Sequence, residues 1–169
     1  APQVAKLEAV GNLTTSSTKT IGADLKGHVD ALYGALLSYH SSLKPGEVER
    51  LSTFEVADAR QALKLLGAQF VARYSRDDRS LDVKFNIARA YYEDGDYKKS
   101  AELFKDFALN HFSHKDAAVA GNLAFDSLRQ LGDFKAIEAY GKVFLASNLP
   151  ATFKSEVNQI LAKSKTAAI

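Results

Sequence analysis

Apolar residues recur three or four positions apart along most of this chain, and the clearest run spans Leu81 to Ser113. There Ile87, Ala88 and Tyr91 form one stripe, and Tyr97, Ala101, Phe104, Phe107 and Ala108 form a second. That spacing predicts two short helices, each with one buried face. Gly95-Asp96 separates them, because glycine is favoured in turns and disfavoured inside a helix, and Asp96 is placed to cap the second helix with its carboxylate. The unit then returns. Asn86-Ile87-Ala88 is matched by Asn122-Leu123-Ala124, 36 residues further on. At that offset Ser100 falls on Ala136, Phe104 on Tyr140 and Phe107 on Val143, while Gly95-Asp96-Tyr97 becomes Gly132-Asp133-Phe134, one residue out of step. A helix–turn–helix repeating at about 34 residues or slightly more predicts a helical solenoid.

The flanking segments fit the same plan. Leu25, Val29, Leu32, Leu36, Tyr39 and Leu43 lie three or four apart and predict a long helix over 22–43, ended by Lys44-Pro45-Gly46. Ser52-Thr53-Phe54-Glu55 has the form of a capping box. A second long helix follows to about Tyr74, with an expected stripe of Phe54, Ala57, Ala62, Leu65, Leu66, Phe70 and Val71. The segment that starts Gln69-Phe70-Val71 resembles the one that starts Asp106-Phe107-Ala108, which makes this helix the back helix of a degenerate leading repeat. Asn148-Leu149-Pro150 separates the second clear unit from a last helix over 151–163, with Phe153, Val157, Ile160 and Leu161 inward. At the other end Val4, Leu7 and Val10 make a weak apolar edge, and Thr14 to Thr20 read as a polar connector. The expected architecture is all-α, with about seven helices in antiparallel pairs. It comprises an N-terminal arm (1–20), a long hairpin (21–80), two repeats (81–149) and a capping helix (150–169).

The repeat resembles the tetratricopeptide family. Ile87-Ala88, Tyr91, Ser100 and Phe104 fill the family's characteristic places, as do Leu123-Ala124, Ser127, Ala136 and Tyr140 in the next unit. Lys84 and Gly121 stand where the family has an early tryptophan, Phe112 stands at the terminal proline, and the spacing is longer than the standard repeat. The resemblance implies a solenoid whose concave groove binds a peptide or a partner protein. Asn86, Asn122 and Asn158 lie 36 apart, each in the first helix of a pair. Their amides offer a donor and an acceptor together, suited to holding an extended peptide backbone, as in family members that carry such ladders. The alternative reading is a hydrogen bond from each amide to a neighbouring helix. By helix spacing Phe85, Arg89 and Tyr92 share a face, and so do Phe125 and Arg129. Aromatic and arginine side chains are common anchors of interfaces. Phe104, Phe107 and Phe112 add a likeness to envelope proteins of this family, in outer-membrane assembly and the Tol–Pal system of Gram-negative bacteria. That likeness implies a periplasmic or cell-envelope interaction scaffold rather than an enzyme. The alternatives are a cytoplasmic scaffold, or a segment that recruits substrate for, or regulates, a larger enzyme.

Composition narrows this picture without redirecting it. At 169 residues, with 46% hydrophobic and 25% charged, the chain has the make-up of one folded domain. A net charge of +2 is too small for a nucleic-acid surface, and no apolar run is long enough for a membrane span. Without cysteine there is no disulfide and no thiolate metal site, which fits a periplasmic or a cytoplasmic home. Without methionine, even at position 1, the chain is expected to be a piece of a longer product. His111, His114 and Asp116 have a spacing that a metal can use, but they straddle an expected helix end, where histidine is favoured by the helix dipole. No cofactor and no metal are expected, and the partner is a protein, a peptide or a second copy of the chain.

Overall fold

The computed structural model describes residues 15–42, 44 and 53–167, and among them the chain is all-α. The helices are α1 (Thr15–Ser42), α2 (Thr53–Arg73), α3 (Ser80–Glu93), α4 (Tyr97–Asn110), α5 (Ala117–Leu131), α6 (Phe134–Leu145) and α7 (Ala151–Ala167). Each packs chiefly on its neighbours in sequence. The expected connector over 15–20 lies inside α1. Serine and threonine each cost only a few tenths of a kcal/mol in a helix, so a long striped helix can carry them in its first turns. Val4, Leu7, Val10, Leu43, Pro45, Gly46 and Ser52 fall outside the described residues.

Two apolar clusters hold the helices together. Leu36 of α1, Leu63 and Phe70 of α2, and Val83 and Ala90 of α3 make the first. The second runs from Ala88 of α3 through Phe104, Phe107, Phe125 and Phe144 to Phe153 and Val157 of α7. The face of α2 differs from the expected stripe: Val56, Ala59, Leu63 and Phe70 are buried, whereas Ala57 is exposed and Leu65 is 57% exposed. This helix lies against α1 and α3 at once, so two contact lines share its surface and a single stripe misplaces its phase. Arg79 fastens the α2–α3 connector to α1 by pairing with Asp77 at 2.8 Å and Asp30 at 3.0 Å, its guanidinium over the Tyr33 ring. The Arg79 hydrogen bonds hold the Asp77 carboxyl at about 2, well below the usual carboxylate value.

The turns are built as the sequence indicates. Gly95 and Gly132 both have positive φ, 79° and 66°. Asp96 caps α4 by accepting from the Lys99 amide at 3.2 Å, and Asp133 caps α6 by accepting from the Ala136 amide at 2.9 Å. A Cβ at Gly95 would meet no heavy atom within 4 Å, so any penalty there is purely conformational. Gly95→Val is therefore expected to lower stability by about 1–2 kcal/mol, and Gly95→Asn by less, because asparagine tolerates the left-handed region. Equal melting midpoints for the two variants would refute this account.

The structural period is 37 residues, not 36. The amides of Gly95 and Asp96 bond to the carbonyls of Tyr92 and Tyr91, and those of Gly132 and Asp133 bond to Arg129 and Leu128. Likewise Tyr74 to Phe70 and Ser80 to Asp77 are repeated by His111 to Phe107 and Ala117 to His114. Every one of these pairs is displaced by 37. Burial follows the same register: Phe70, Phe107 and Phe144 are all buried, and so are Val83, Ala120 and Val157. The partner of Phe107 is thus Phe144, while Val143, its match at 36, is 47% exposed. The one-residue slip at the glycine turn continues through the following helix.

Side-chain volume is matched along this register. A Cβ on Gly67 would lie 2.8 Å from Cγ1 of Ile87, and one on Gly141 would lie 2.6 Å from Cδ2 of Leu161. Between these pairs, at the corresponding positions, stand Phe104 and Ala124, both fully buried. Where the back helix has glycine, the next front helix supplies a branched side chain; where it has phenylalanine, the front helix supplies alanine. Dense packing requires this exchange of large for small.

Candidate functional site

The residues singled out in the sequence occupy three kinds of place. Phe125 is fully buried with its ring against Phe144, and Phe85 packs edge-on to Phe104 and Phe107 at 5.3 and 5.6 Å. Neither ring lines an open groove, because the spacing that aligns them also aims them at the next helix. Tyr92 and Asn122 link alternate helices: the Tyr92 hydroxyl donates to Asp126, and the Asn122 amide donates to Glu156 at 3.0 Å. The bond to Asp126 raises the Tyr92 pKa. Arg89 and Arg129 are exposed, paired within their own helices to Glu93 at 2.9 Å and Asp126 at 3.5 Å. Asn86 lines a small cleft with His40 and Arg89, and Asn158 is exposed.

The three asparagines do not occupy equivalent positions. Their spacing of 36 falls one residue short of the structural period at each step, and one residue is about 100° of helix. In the 37-residue register Asn122 stands at the place of Phe85, and Asn158 at the place of Gly121. The amides fan around successive helices instead of forming a row.

A different feature is open. A groove of about 450 Å³ crosses α2, α3 and α4. Ala68, Val71 and Ala72 of α2 form one wall, Ile87 and Tyr91 of α3 the floor, and Leu103 and Phe107 of α4 the other wall. Ala68 and Ala72, Ile87 and Tyr91, and Leu103 and Phe107 are each four apart, and Val71 is three from Ala68, so one face of each helix is turned inward. The groove owes its width to two small side chains: Ala68 and Ala72 occupy the places that Lys105 and Leu109 hold one period later. There the Lys105 ammonium lies 4.8 Å from the Tyr140 ring centre.

Basic groups stand at both ends. At one, Lys64 is paired with Asp94 and lies over the Tyr91 ring at 4.4 Å, near Lys99 on the first turn of α4. At the other, the Lys84 ammonium is 3.4 Å from Nε2 of His111, the C-cap of α4. Burial, reinforced by the positive charge of Lys84, lowers the His111 pKa, so the ring is neutral at pH 7 and Nε2 accepts from the lysine. Among the described residues no carboxylate pairs with Lys84 or Lys99 within 4.0 Å. Asp106 is the acidic residue of the lining. Comparison with protein-family models, with curated proteins and with solved structures finds no match for this chain.

Sequence reasoning did not place Lys64, Ala68, Lys84 or Leu103 in a site. For the alanine wall a signal was present, since at 37, the offset at which Gln69-Phe70 matches Asp106-Phe107, both Ala68 and Ala72 stand out as small where the next unit is large. In the histidine cluster His114, not His111, is the ring flanked by carboxylates. Asp82 and Asp116 approach opposite ring nitrogens of His114, each at 3.8 Å, and Nδ1 accepts from the Asp116 amide at 3.2 Å. No helix among the described residues is long and apolar enough to cross a membrane.

Proposed function

We propose that this chain is a protein-interaction module, a solenoid of tetratricopeptide type that holds a peptide or a segment of a partner protein. The observation that carries this reading is the apolar groove across α2, α3 and α4, made by two alanines on one wall and open to solvent. Its volume lies in the range of binding clefts. The stacking of hairpins at a constant 37-residue register supports the solenoid reading, because each unit then presents one face to its neighbour and another to solvent. The place of action we propose is a bacterial cell envelope, on the sequence resemblance alone, with a role as scaffold rather than catalyst.

The test is to fill the groove without touching the core. Ala68 and Ala72 are both exposed, so Ala68→Leu with Ala72→Leu should leave the stability within about 1 kcal/mol of the parent. A binding partner captured by cross-linking to the parent chain should be lost from this variant. Equal capture by both proteins would overturn the groove as the binding surface.

A further inference from the structure

We infer that the groove seats an acidic amphipathic segment of a partner protein, with apolar side chains against Ala68, Ile87 and Phe107 and carboxylates on Lys84 and Lys99. The inference rests on the reading of the groove as an interaction surface and adds the chemistry of what fills it.

Charge and shape both point this way. The floor and walls at mid-groove are aliphatic and aromatic, which suits two or three apolar side chains on one edge of a helix. Lys84 is half-buried beside this surface, with a neutral imidazole as its polar neighbour. A cation in that setting has no opposite charge beside it, and an incoming carboxylate supplies one. Lys99 is exposed on the first turn of α4. Because α3 and α4 form a hairpin, Lys99 lies near the Tyr91 end and Lys84 near the His111 end. Lys84 and Tyr91 are seven residues apart on α3, so the two ends are separated by about 10 Å, or two turns of a helix. A single-headed amphiphile brings one anionic group. A groove with cations at both ends instead matches a chain with acidic residues on either side of an apolar centre. Asp106 at the rim disfavours an acidic segment and the Lys64–Asp94 pair is close to neutral, so together they do not outweigh the two lysines that lack a carboxylate partner.

The experiment uses the whole chain and three labelled synthetic peptides, all helix-forming and with the same leucine edge. The flanking residues are Glu in the first, Gln in the second and Lys in the third. Binding is read by fluorescence anisotropy at low and high salt, and occupancy of the groove by loss of binding in the Ala68→Leu, Ala72→Leu variant. The acidic peptide is expected to bind about tenfold more tightly than the Gln peptide at low salt, with the advantage reduced several-fold by Lys84→Gln and again by Lys99→Gln. Circular dichroism of the lysine variants verifies their folding, and Lys84→Glu with Lys99→Glu should shift the preference to the Lys peptide. Equal affinity for the acidic and Gln peptides, both lost on filling the groove, overturns the charge preference and leaves the interaction surface standing. Absence of binding by all three peptides overturns the inference, and so does lysine-dependent binding of dodecanoate in their place. The capture experiment on the filled groove then judges the broader reading by itself.

Discussion

Phe104→Ala is expected to lower the stability of the chain by about 3–5 kcal/mol, one of the two largest single effects here. The ring is fully buried in the larger core, edge-on to Phe85 at 5.3 Å. Truncation removes its transfer free energy and leaves a cavity between two hairpins, which collapses only if the helices shift. In a domain of this size the loss corresponds to a fall of roughly 10 °C in melting midpoint. The volume register makes the prediction sharper. At the corresponding places the neighbouring units pair Gly67 with Ile87 and Gly141 with Leu161. Ala124→Leu in the Phe104→Ala background therefore restores the small–large order of the other two units. It should recover at least about 1 kcal/mol, whereas Ala124→Leu alone should destabilise by overpacking. A loss below about 1 kcal/mol for Phe104→Ala would place the ring outside the core, and additive effects of the two substitutions would refute the volume match.

Gly121→Val is expected to be comparably damaging. A Cβ at this position would overlap Cζ of Phe153 and lie 2.9 Å from its Cε2. The ring cannot swing clear, because Phe153 is itself buried and packs on Phe144 at 5.5 Å. Valine there must force α5 and α7 apart, at about 3 kcal/mol or more. Gly121→Ala should cost less, and Phe153→Leu should relieve part of the Gly121→Ala penalty by withdrawing the ring edge, a coupling that a double-mutant cycle of urea midpoints measures. If the four midpoints show no coupling, the contact does not limit the approach of α5 and α7.

Much of the architecture was legible because it is written locally. The all-α class, the two glycine turns, their aspartate caps and the inward positions of Phe104, Phe153 and Val157 each follow from spacing within about a dozen residues. The positive φ of Gly95 and Gly132 is likewise a property of the turn itself. The phase of α2 was not legible in the same way. A helix with partners on two sides has apolar residues around much of its circumference, and periodicity then indicates a helix without indicating which side is in.

The period and the site were decided by tertiary structure, for one physical reason. Sequence matching weights identity, and Asn-Ile-Ala against Asn-Leu-Ala set the main offset at 36 although Gln69-Phe70 against Asp106-Phe107 and the two glycine turns already stood 37 apart, whereas packing weights position, and the repeated backbone hydrogen bonds select 37. That single residue turns a helix by about 100°, enough to scatter the asparagines and to line up Phe70, Phe107 and Phe144. The groove depends on the absence of bulk at Ala68 and Ala72, and an absence has no motif. By itself the sequence determined that the chain forms helical hairpins, because turn chemistry and apolar stripes are local. The structure decided which faces meet and which stay open, because that depends on volumes supplied by residues far apart in the chain.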